Sequence, residues 1–377
     1  MNGRLAIFAH SPGLSGAERS LLETLPILAG RFALDLFVPG PGPFAERARA
    51  LARDLPLEVL ETGHRFDYGH DAGTGPRAVA HGAMNLRAFL RARARLTRHR
   101  PVAIYSNSVA SWLGARLART LDLPHLWHLR ELPLASSIGR PRAGARAEAA
   151  LLRRGAHLAN SAFVADWYRA RHGIAPQVAY QPVSLRPLPP VADPEGRLRI
   201  LSVGRLKPQK GHDRVIDALS QGPAHARLTI VGEGSQQEAL AARIARSGLG
   251  DRVHLAGGLP DLAEPLARAD LLVTAATDEA FGRVTAEAML AGVPVIGLRS
   301  GGTAELLAGG RGTLVDPGDR AALAAALGAF AADPAPFQAM AARARDWARA
   351  TLSHGAYGAT VLGALDGLLP RGDGADG

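Results

Sequence analysis

Lys207 and Lys210 are the only lysines in the chain; the other 42 of its 44 basic residues are arginines. Both lie in GRLKPQKGHD, residues 204–213, beside Arg205. A compact ammonium on a flexible stem meets one phosphate oxygen as a point charge, whereas a planar guanidinium grips two, so Arg205 with Lys210 reads as a diphosphate clamp. Lys207 adjoins Pro208 and is expected to turn outward. A second stretch, DEAFGRVTAEAMLAGVPVIG (278–297), sets Glu279 and Glu287 around Phe281 and Gly282. A helix starting near Arg283 would leave the amides of Arg283, Val284 and Thr285 free for an anion. Glu287, one turn inside it, suits a vicinal diol such as ribose, and Glu279 would reach another part of the same ligand. A third stretch, HSPGLSGAERSLLE (10–23), puts Gly13 and Gly16 before a helix from about Ala17, again with amides facing an anion.

Each stretch alone has a plainer reading. Paired glutamates arise freely on Ala/Glu-rich helices and usually just solvate a face, and most Gly-rich turns are only turns. The first turn lacks G-x-G-x-x-G, and no Lys-Ser or Lys-Thr follows it, so dinucleotide-cofactor and P-loop readings are poor. No Asp-x-Asp occurs. The usual device for holding a metal on a diphosphate is therefore missing, and fixed cations with helix-start amides must answer the charge instead. The chain has no cysteine, which excludes disulfides, thiolate metal sites and a cysteine nucleophile.

The elements that must position these groups alternate regularly. Short apolar runs, LAIFA, ALDLFVP, LEVLE, VAIYSNS, HLWHLR, AHLANS and QVAYQPV, are separated by Ala-, Leu- and Arg-rich stretches of helical period. After a Pro-rich segment (182–196) the pattern restarts with RILSVGRL, LTIVGEG, VHLAGG, LLVTAA, VPVIGL and GTLVDP. Four prolines between 187 and 194 fit neither a sheet interior nor a helix interior, which makes this segment the linker. The expected fold class is α/β, with two Rossmann-like, doubly wound parallel-sheet domains facing across a cleft: residues 1–184, and residues 185–353. A last helix at about 354–368 can pack back on the first domain. Ligands in such sheets bind beyond the carboxyl ends of the strands, where all three stretches fall.

A length of 377 residues suits two domains. The start has too short an apolar run for a secretory signal, and no run approaches a membrane span, so the expected location is cytoplasmic. Residues 1–185 carry 24 Arg against 13 acids, a balance of +11; the remaining 20 basic and 21 acidic residues give −1. One half therefore faces an anionic partner. Aromatic residues make up 5% and do not interleave with the arginines, so no nucleic-acid partner is expected. LRAFLRARARLTRHR aligns Arg87, Arg91, Arg95 and Arg98 on one helix face. That stripe is either a solvated face or a contact with anionic lipid headgroups, peripheral on the inner face of a membrane.

Five signatures in the second half, SVGRLKPQKGHD, VGEGSQQEAL, VHLAGGLPD, DEAFGRVTAEAMLAGVPVIG and SGGTAELL, together with SGAERSLLE, YSNS, WHLRELP and ANSAFVADWY in the first, resemble the retaining glycosyltransferases of family four, which have the GT-B fold. The resemblance spans the chain. It implies hexosyl transfer from a UDP- or GDP-sugar donor to a glycan or lipid-linked acceptor in polysaccharide or glycoconjugate biosynthesis, with no metal and no cofactor. It gives Arg205 and Lys210 the departing diphosphate, Glu287 the ribose and Glu279 the donor sugar's hydroxyls. Phe281, Gly282 and the amides of Arg283 and Val284 resemble the groups that hold sugar and distal phosphate, and Leu259 resembles a backbone contact to the base. In the first domain Gly16 resembles an amide donor to the diphosphate, and His128 a histidine beside the transferred sugar. Apart from the resemblance, His128 reads as a core histidine between Trp127 and Leu129, with Arg130 and Glu131 pairing to fix their loop.

Two departures stand out. Ser15 precedes Gly16 where the family often has a second glycine, and QPVS (181–184) replaces an Asn-Gly-Val-Asp pattern at the hinge. The alternatives are a GT-B-fold sugar-nucleotide epimerase and a non-catalytic sugar-nucleotide-binding protein. The former lacks this Glu279/Glu287 arrangement, and intact Arg205, Lys210 and Glu287 argue against the latter.

Overall fold

The computed structural model describes residues 3–69, 76–134 and 138–369. The chain forms two compact units, Met1–Pro182 with His354–Gly377, and Val183–Ser353.

The described residues of unit 1 contain nine strands: β1 (Arg4–Phe8), β2 (Ala33–Val38), β3 (Leu57–Glu61), β4 (Tyr68–Gly69), β5 (Ala103–Ser106), β6 (His125–Leu129), β7 (Arg140–Pro141), β8 (Ala156–Ala159) and β9 (Gln177–Val178). Its helices are α1 (Gly16–Ala29), α2 (Pro43–Leu51), α3 (Pro76–Arg98), α4 (Leu113–Leu121), α5 (Ala145–Leu152) and α6 (Ala162–His172). Seven of the strands form one parallel sheet in the order β3-β2-β1-β5-β6-β8-β9, and β4 pairs antiparallel with β7. The central strands are apolar throughout because helices cover both faces: Leu5 to Phe8 are buried on either side. Leftward steps put α1 and α2 on one face. Rightward steps put α3, α4 and α5 on the other, as right-handed crossovers require.

Unit 2 contains β10 (Leu198–Val203), β11 (Ala226–Val231), β12 (Val253–Gly257), β13 (Leu271–Thr274), β14 (Val295–Leu298) and β15 (Thr313–Val315). Between and after them run α7 (His212–Ser220), α8 (Gln237–Arg246), α9 (Ala263–Arg268), α10 (Arg283–Ala291), α11 (Gly301–Leu307), α12 (Arg320–Ala332) and α13 (Ala335–Thr351). The strand order is β12-β11-β10-β13-β14-β15, all parallel. Each unit is therefore a doubly wound α/β sheet whose order reverses once, at β1/β5 and at β10/β13.

The last helix, α14 (His354–Asp366), returns to unit 1. Its residues Tyr357, Val361 and Leu365, spaced four apart, are buried with Leu21, Leu25 and Leu28 of α1. Tyr357 also exchanges a 3.0 Å hydrogen bond with Thr24. No helix among the described residues is long and apolar enough to cross a membrane.

Candidate active site

In unit 2 the site grows from the loops that leave β10 and β13 on either side of the strand-order reversal. Doubly wound sheets open a crevice at that point. The β10 loop (204–211) ends at Gly211, whose φ of +69° only glycine adopts cheaply; a β-carbon there would sit 2.1 Å from the Ala275 carbonyl oxygen of the other loop. Thr277 N–H donates to the Gln209 carbonyl at 3.0 Å, and Arg214 donates to that of Ala275 at 2.9 Å. His212 steadies the turn from below, with Nδ1 3.0 Å from Ser202 Oγ and Nε2 3.2 Å from the Gly204 carbonyl. Burial holds its imidazole below the ordinary range, so the ring is neutral and bonds as one donor and one acceptor.

Across this seam the Lys210 ammonium pairs directly with the Glu279 carboxylate. Both side chains keep about a quarter of their surface exposed, 25% and 24%. Arg205, exposed in the same loop, has no acidic partner among the described residues, and Lys207 is exposed as expected. Glu279 is held from behind: Gly302 N–H donates to its carbonyl at 2.7 Å, and Gly301, at φ +56°, lies so close that a β-carbon would meet that oxygen at 2.4 Å. The SGG of SGGTAELL thus buttresses the glutamate. Asp278 beside it takes a left-handed φ of +58°, local strain of the kind that concentrates at functional loops.

Helix α10 begins where the sequence places it. Gly282, at φ +92°, is its cap, and the first intrahelical bond runs from Ala286 N–H to the Gly282 carbonyl at 3.0 Å, so the amides of Arg283, Val284 and Thr285 precede the helical ladder. Phe281 is buried and fixes this entry. Glu287 is not an open carboxylate: Arg283 Nε donates to its Oε1 at 3.1 Å. Leu259 lies further along the same strand ends, after β12, 40% exposed. That loop joins the others through Gly232 N–H to the Gly257 carbonyl (2.7 Å) and Leu206 N–H to that of Glu233 (2.8 Å). The structure therefore brings Lys210 and Glu279 into contact, pairs Glu287 with a neighbour, and sets Leu259 on an adjoining loop.

Unit 1 is different at its own reversal. Gly16 opens α1 with open space where a β-carbon would lie. The preceding Ser15 does not cap the helix amides; its hydroxyl bonds the Glu18 carboxylate instead. His128 is enclosed, with no exposed surface. Its Nδ1 lies 2.5 Å from the Tyr105 hydroxyl and 3.2 Å from Arg130, which carries donors only, so Nδ1 accepts and the proton sits on Nε2. Burial, then the Arg130 charge, pushes its pKa well down. His128 is thus enclosed among Tyr105, Arg130 and Tyr357. The expected Arg130–Glu131 pair is also replaced. Arg130 turns inward to Asn107 (2.9 Å), Ser20 (2.9 Å), Gln181 (3.3 Å) and Tyr357 (3.2 Å). Glu131 turns to Ser108 at 2.8 Å and to His10, whose Nε2 is 3.6 Å away.

His10 thus stands beside Glu131, a placement the motif reading did not single out. Its Nδ1 lies 3.0 Å from Glu18, and its ring meets the edge of Phe66, which is 39% exposed. Burial pushes the Glu131 carboxyl up. The one sequence signal was Ser15-Gly-Ala-Glu18, the spacing of a capping box, which marks Glu18 but not its imidazole partner. Among the described residues no group of three or more His, Cys, Asp or Glu is placed to hold a metal ion.

With this geometry in hand, comparison with known proteins is specific. Residues 189–347 match the family model described as glycosyl transferases group 1. The GDP-mannose-dependent alpha-(1-6)-phosphatidylinositol monomannoside mannosyltransferase of Mycolicibacterium smegmatis is 30% identical over 308 residues, 67% of this chain and 79% of that protein. The 2-deoxystreptamine glucosyltransferase of Streptomyces kanamyceticus is 33% identical over 161 residues, 41% of each chain. Among solved structures, Anabaena HepE in complex with UDP superposes with a TM-score of 0.76 at 22% identity, covering 97% of this chain and all of that one. WaaG, a glycosyltransferase involved in lipopolysaccharide biosynthesis, does so at 0.66 and 18%, covering 97% and 100%. These structural likenesses show the fold, GT-B.

Proposed function

The chain belongs to the glycosyl transferases group 1 and is a glycosyltransferase, and from that premise we propose that it moves a hexosyl group from a UDP- or GDP-sugar to a glycan or lipid-linked acceptor, with retention at the transferred carbon and without a metal ion or other cofactor. The observation that carries this reading is the Lys210–Glu279 pair, tethered by backbone at the strand-order reversal and next in sequence to the α10 start. A departing diphosphate gathers negative charge, and Lys210, the unpartnered Arg205 and the first amides of α10 are suited to meet it. Once the diphosphate takes over the ammonium, Glu279 is freed to accept from the sugar's hydroxyls. Glu287 turns from Arg283 to the ribose diol, Phe281 and Gly282 hold the sugar's loop, and the Leu259 backbone meets the base.

In the transfer step the acceptor oxygen bonds the anomeric carbon on the face from which the carbon–oxygen bond to the distal phosphate breaks, and the hydroxyl proton passes to the leaving phosphate oxygen. In unit 1 the Gly16 amide is suited to the diphosphate and the His10–Glu131 pair to the acceptor hydroxyl, with His128, beside Tyr105 and Arg130, on the side of the transferred sugar. A cytoplasmic enzyme peripheral on the inner face of a membrane fits the first unit's charge. Helix α3 has no acidic residue and exposes Val79, Leu86 and Leu90 beside Arg87 and Arg91. Arg95 leaves that stripe to pair with Asp35 and Glu58.

The test is thermal stabilisation by UDP, GDP and ADP and their sugars, with and without EDTA. A ligand that binds only the folded chain raises the melting temperature. One base should shift it, EDTA should leave the shift intact, and Lys210→Ala should abolish it. The same variant should lower turnover by roughly 10² to 10³, the loss typical of removing one charge-stabilising donor, while changing stability by less than about 1 kcal/mol, since the pair is partly exposed. No shift with any nucleotide would overturn the donor reading.

A further inference from the structure

In unit 1, α4 and α5 lie on the same face of the first sheet; α5 offers Ala147, Ala150 and Leu151 to the space between them, and α4 offers Ala115 and Ala118 at one end and Trp112, Arg116 and Thr120 at the other. Between these helices the side chains leave space unfilled. What remains is two cavities, ≈ 410 Å³ and ≈ 330 Å³, that share Arg119, Ala150 and Leu151. Together they run the length of α4, from Trp112 at its start to Asp122 and Gly155 at its end, about 14 Å for nine residues. The upper cavity closes against Phe89 of α3, the helix that exposes Leu86 and Leu90.

The walls carry an unequal charge. Arg116 is occupied, 3.2 Å from Asp67 and stacked over the Trp112 ring. Arg119 and Arg154 are exposed and have no acidic partner among the described residues. Asp122 is the one acid lining either cavity. A floor of Ala150 and Leu151 with two idle guanidinium groups on its rim complements a ligand with one alkyl chain and one anionic head.

We propose that the α4–α5 groove of unit 1 is a binding site for an anionic amphiphile, its phosphate on Arg119 and Arg154 and its alkyl chain laid over Ala150 and Leu151 towards Trp112. The site stands apart from the donor chemistry of unit 2. It deepens the membrane-side reading of unit 1, because a lipid drawn from a bilayer at α3 would enter beside Phe89.

Calorimetric titration of the full chain with dodecyl phosphate, below its micelle concentration, tests this directly. Binding should saturate at one per chain. Dodecyl maltoside and inorganic phosphate should each bind at least tenfold more weakly, and equal binding by either would overturn the proposal. Ala150 is exposed and lines both cavities, so Ala150→Phe fills the groove without touching the core. It should weaken dodecyl phosphate at least tenfold, as should Arg119→Gln with Arg154→Gln; unchanged affinity in either variant would overturn the site. Sedimentation with phosphatidylglycerol vesicles separates groove from surface. Leu86→Gln with Leu90→Gln should lower vesicle binding while leaving dodecyl phosphate binding intact, and loss of both from that pair would show that no separate groove site exists.

Discussion

The two sheets reverse their strand order in the same way, yet what stands at the two reversals is opposite in character. At β10/β13 the charged groups are accessible: Lys210 paired with Glu279, each about a quarter exposed, and Arg205 with no acidic partner among the described residues. At β1/β5 and the neighbouring β6 they are sealed. Arg130, 3% exposed, bonds five side chains, and His128 has no surface at all. An exposed ion pair costs little to break, so a ligand can replace it; a buried cation with saturated donors is replaced by nothing. The same topology thus sets a partly exposed ion pair at the reversal in unit 2 and a sealed network in unit 1, with His10, Glu131 and Phe66 at that network's edge.

Acid should expose the difference most strongly. Burial holds His125 at about 3 and His64 and His157 at about 4, and it also lowers His128 and His172; all five are in unit 1, against His212 alone in unit 2. An unfolded histidine titrates near 6.5. The unfolded chain therefore takes up these protons first, and stability is lost as the pH falls below about 6.5, continuing until the folded values are reached. At pH 5 each of the three histidines with a value removes about 2 kcal/mol, about 6 kcal/mol together. Asp67, Glu131 and Glu148, whose carboxyls burial pushes up, favour the folded state as the pH falls through their raised values and offset part of this loss. Trp112, Trp127 and Trp167 report unit 1, and a Trp347→Phe variant silences unit 2. Urea unfolding followed by fluorescence at pH 7 and pH 5 should show a large fall in the unit 1 midpoint and a small one for unit 2 followed through Trp347. Equal falls would erase the contrast.

The strands of both sheets were legible from their short apolar runs, and the start of α10 from Gly282 and the helical period after it. The partners were not. Lys210 and Glu279 are 69 residues apart, and His10 and Glu131 sit on loops after different strands, so only the order of strands in the sheet brings them together. His128 shows the opposite lesson: its neighbours Leu126, Trp127 and Leu129 marked it as interior, and the burial is what the structure contains. Local pattern fixes elements and faces. Ion pairs between loops follow from topology, which no window of sequence contains.

A smaller effect is expected from opening the sealed network itself. Arg130→Ala leaves Asn107, Ser20, Gln181 and the Tyr357 hydroxyl without their buried cation, and removing one member of a buried charged network costs about 3–5 kcal/mol. Urea unfolding of the variant should show that loss in unit 1, while nucleotide stabilisation of unit 2 at low temperature persists. A loss under about 1 kcal/mol would mean that the network is not the support its bonding implies.

The smallest effect separates support from contact inside unit 2. Arg283 and Glu287 are four apart on α10, 15% and 12% exposed. Arg ahead of Glu is the weaker order for such a pair, and a cation in the first turn opposes the helix dipole, so the bridge adds little to folding. In the proposed reading, its value is to hold Glu287 in one rotamer until the ribose diol replaces the guanidinium. Arg283→Gln keeps the stem as far as Cδ and removes the charge. It should leave the melting temperature nearly unchanged and alter nucleotide affinity by no more than about fivefold, the equivalent of about 1 kcal/mol. Isothermal titration with the nucleotide that stabilises the wild type measures this. A hundredfold loss would show that Arg283 grips the ligand itself, and the partly exposed site in unit 2 would then include a third cation beside Arg205 and Lys210.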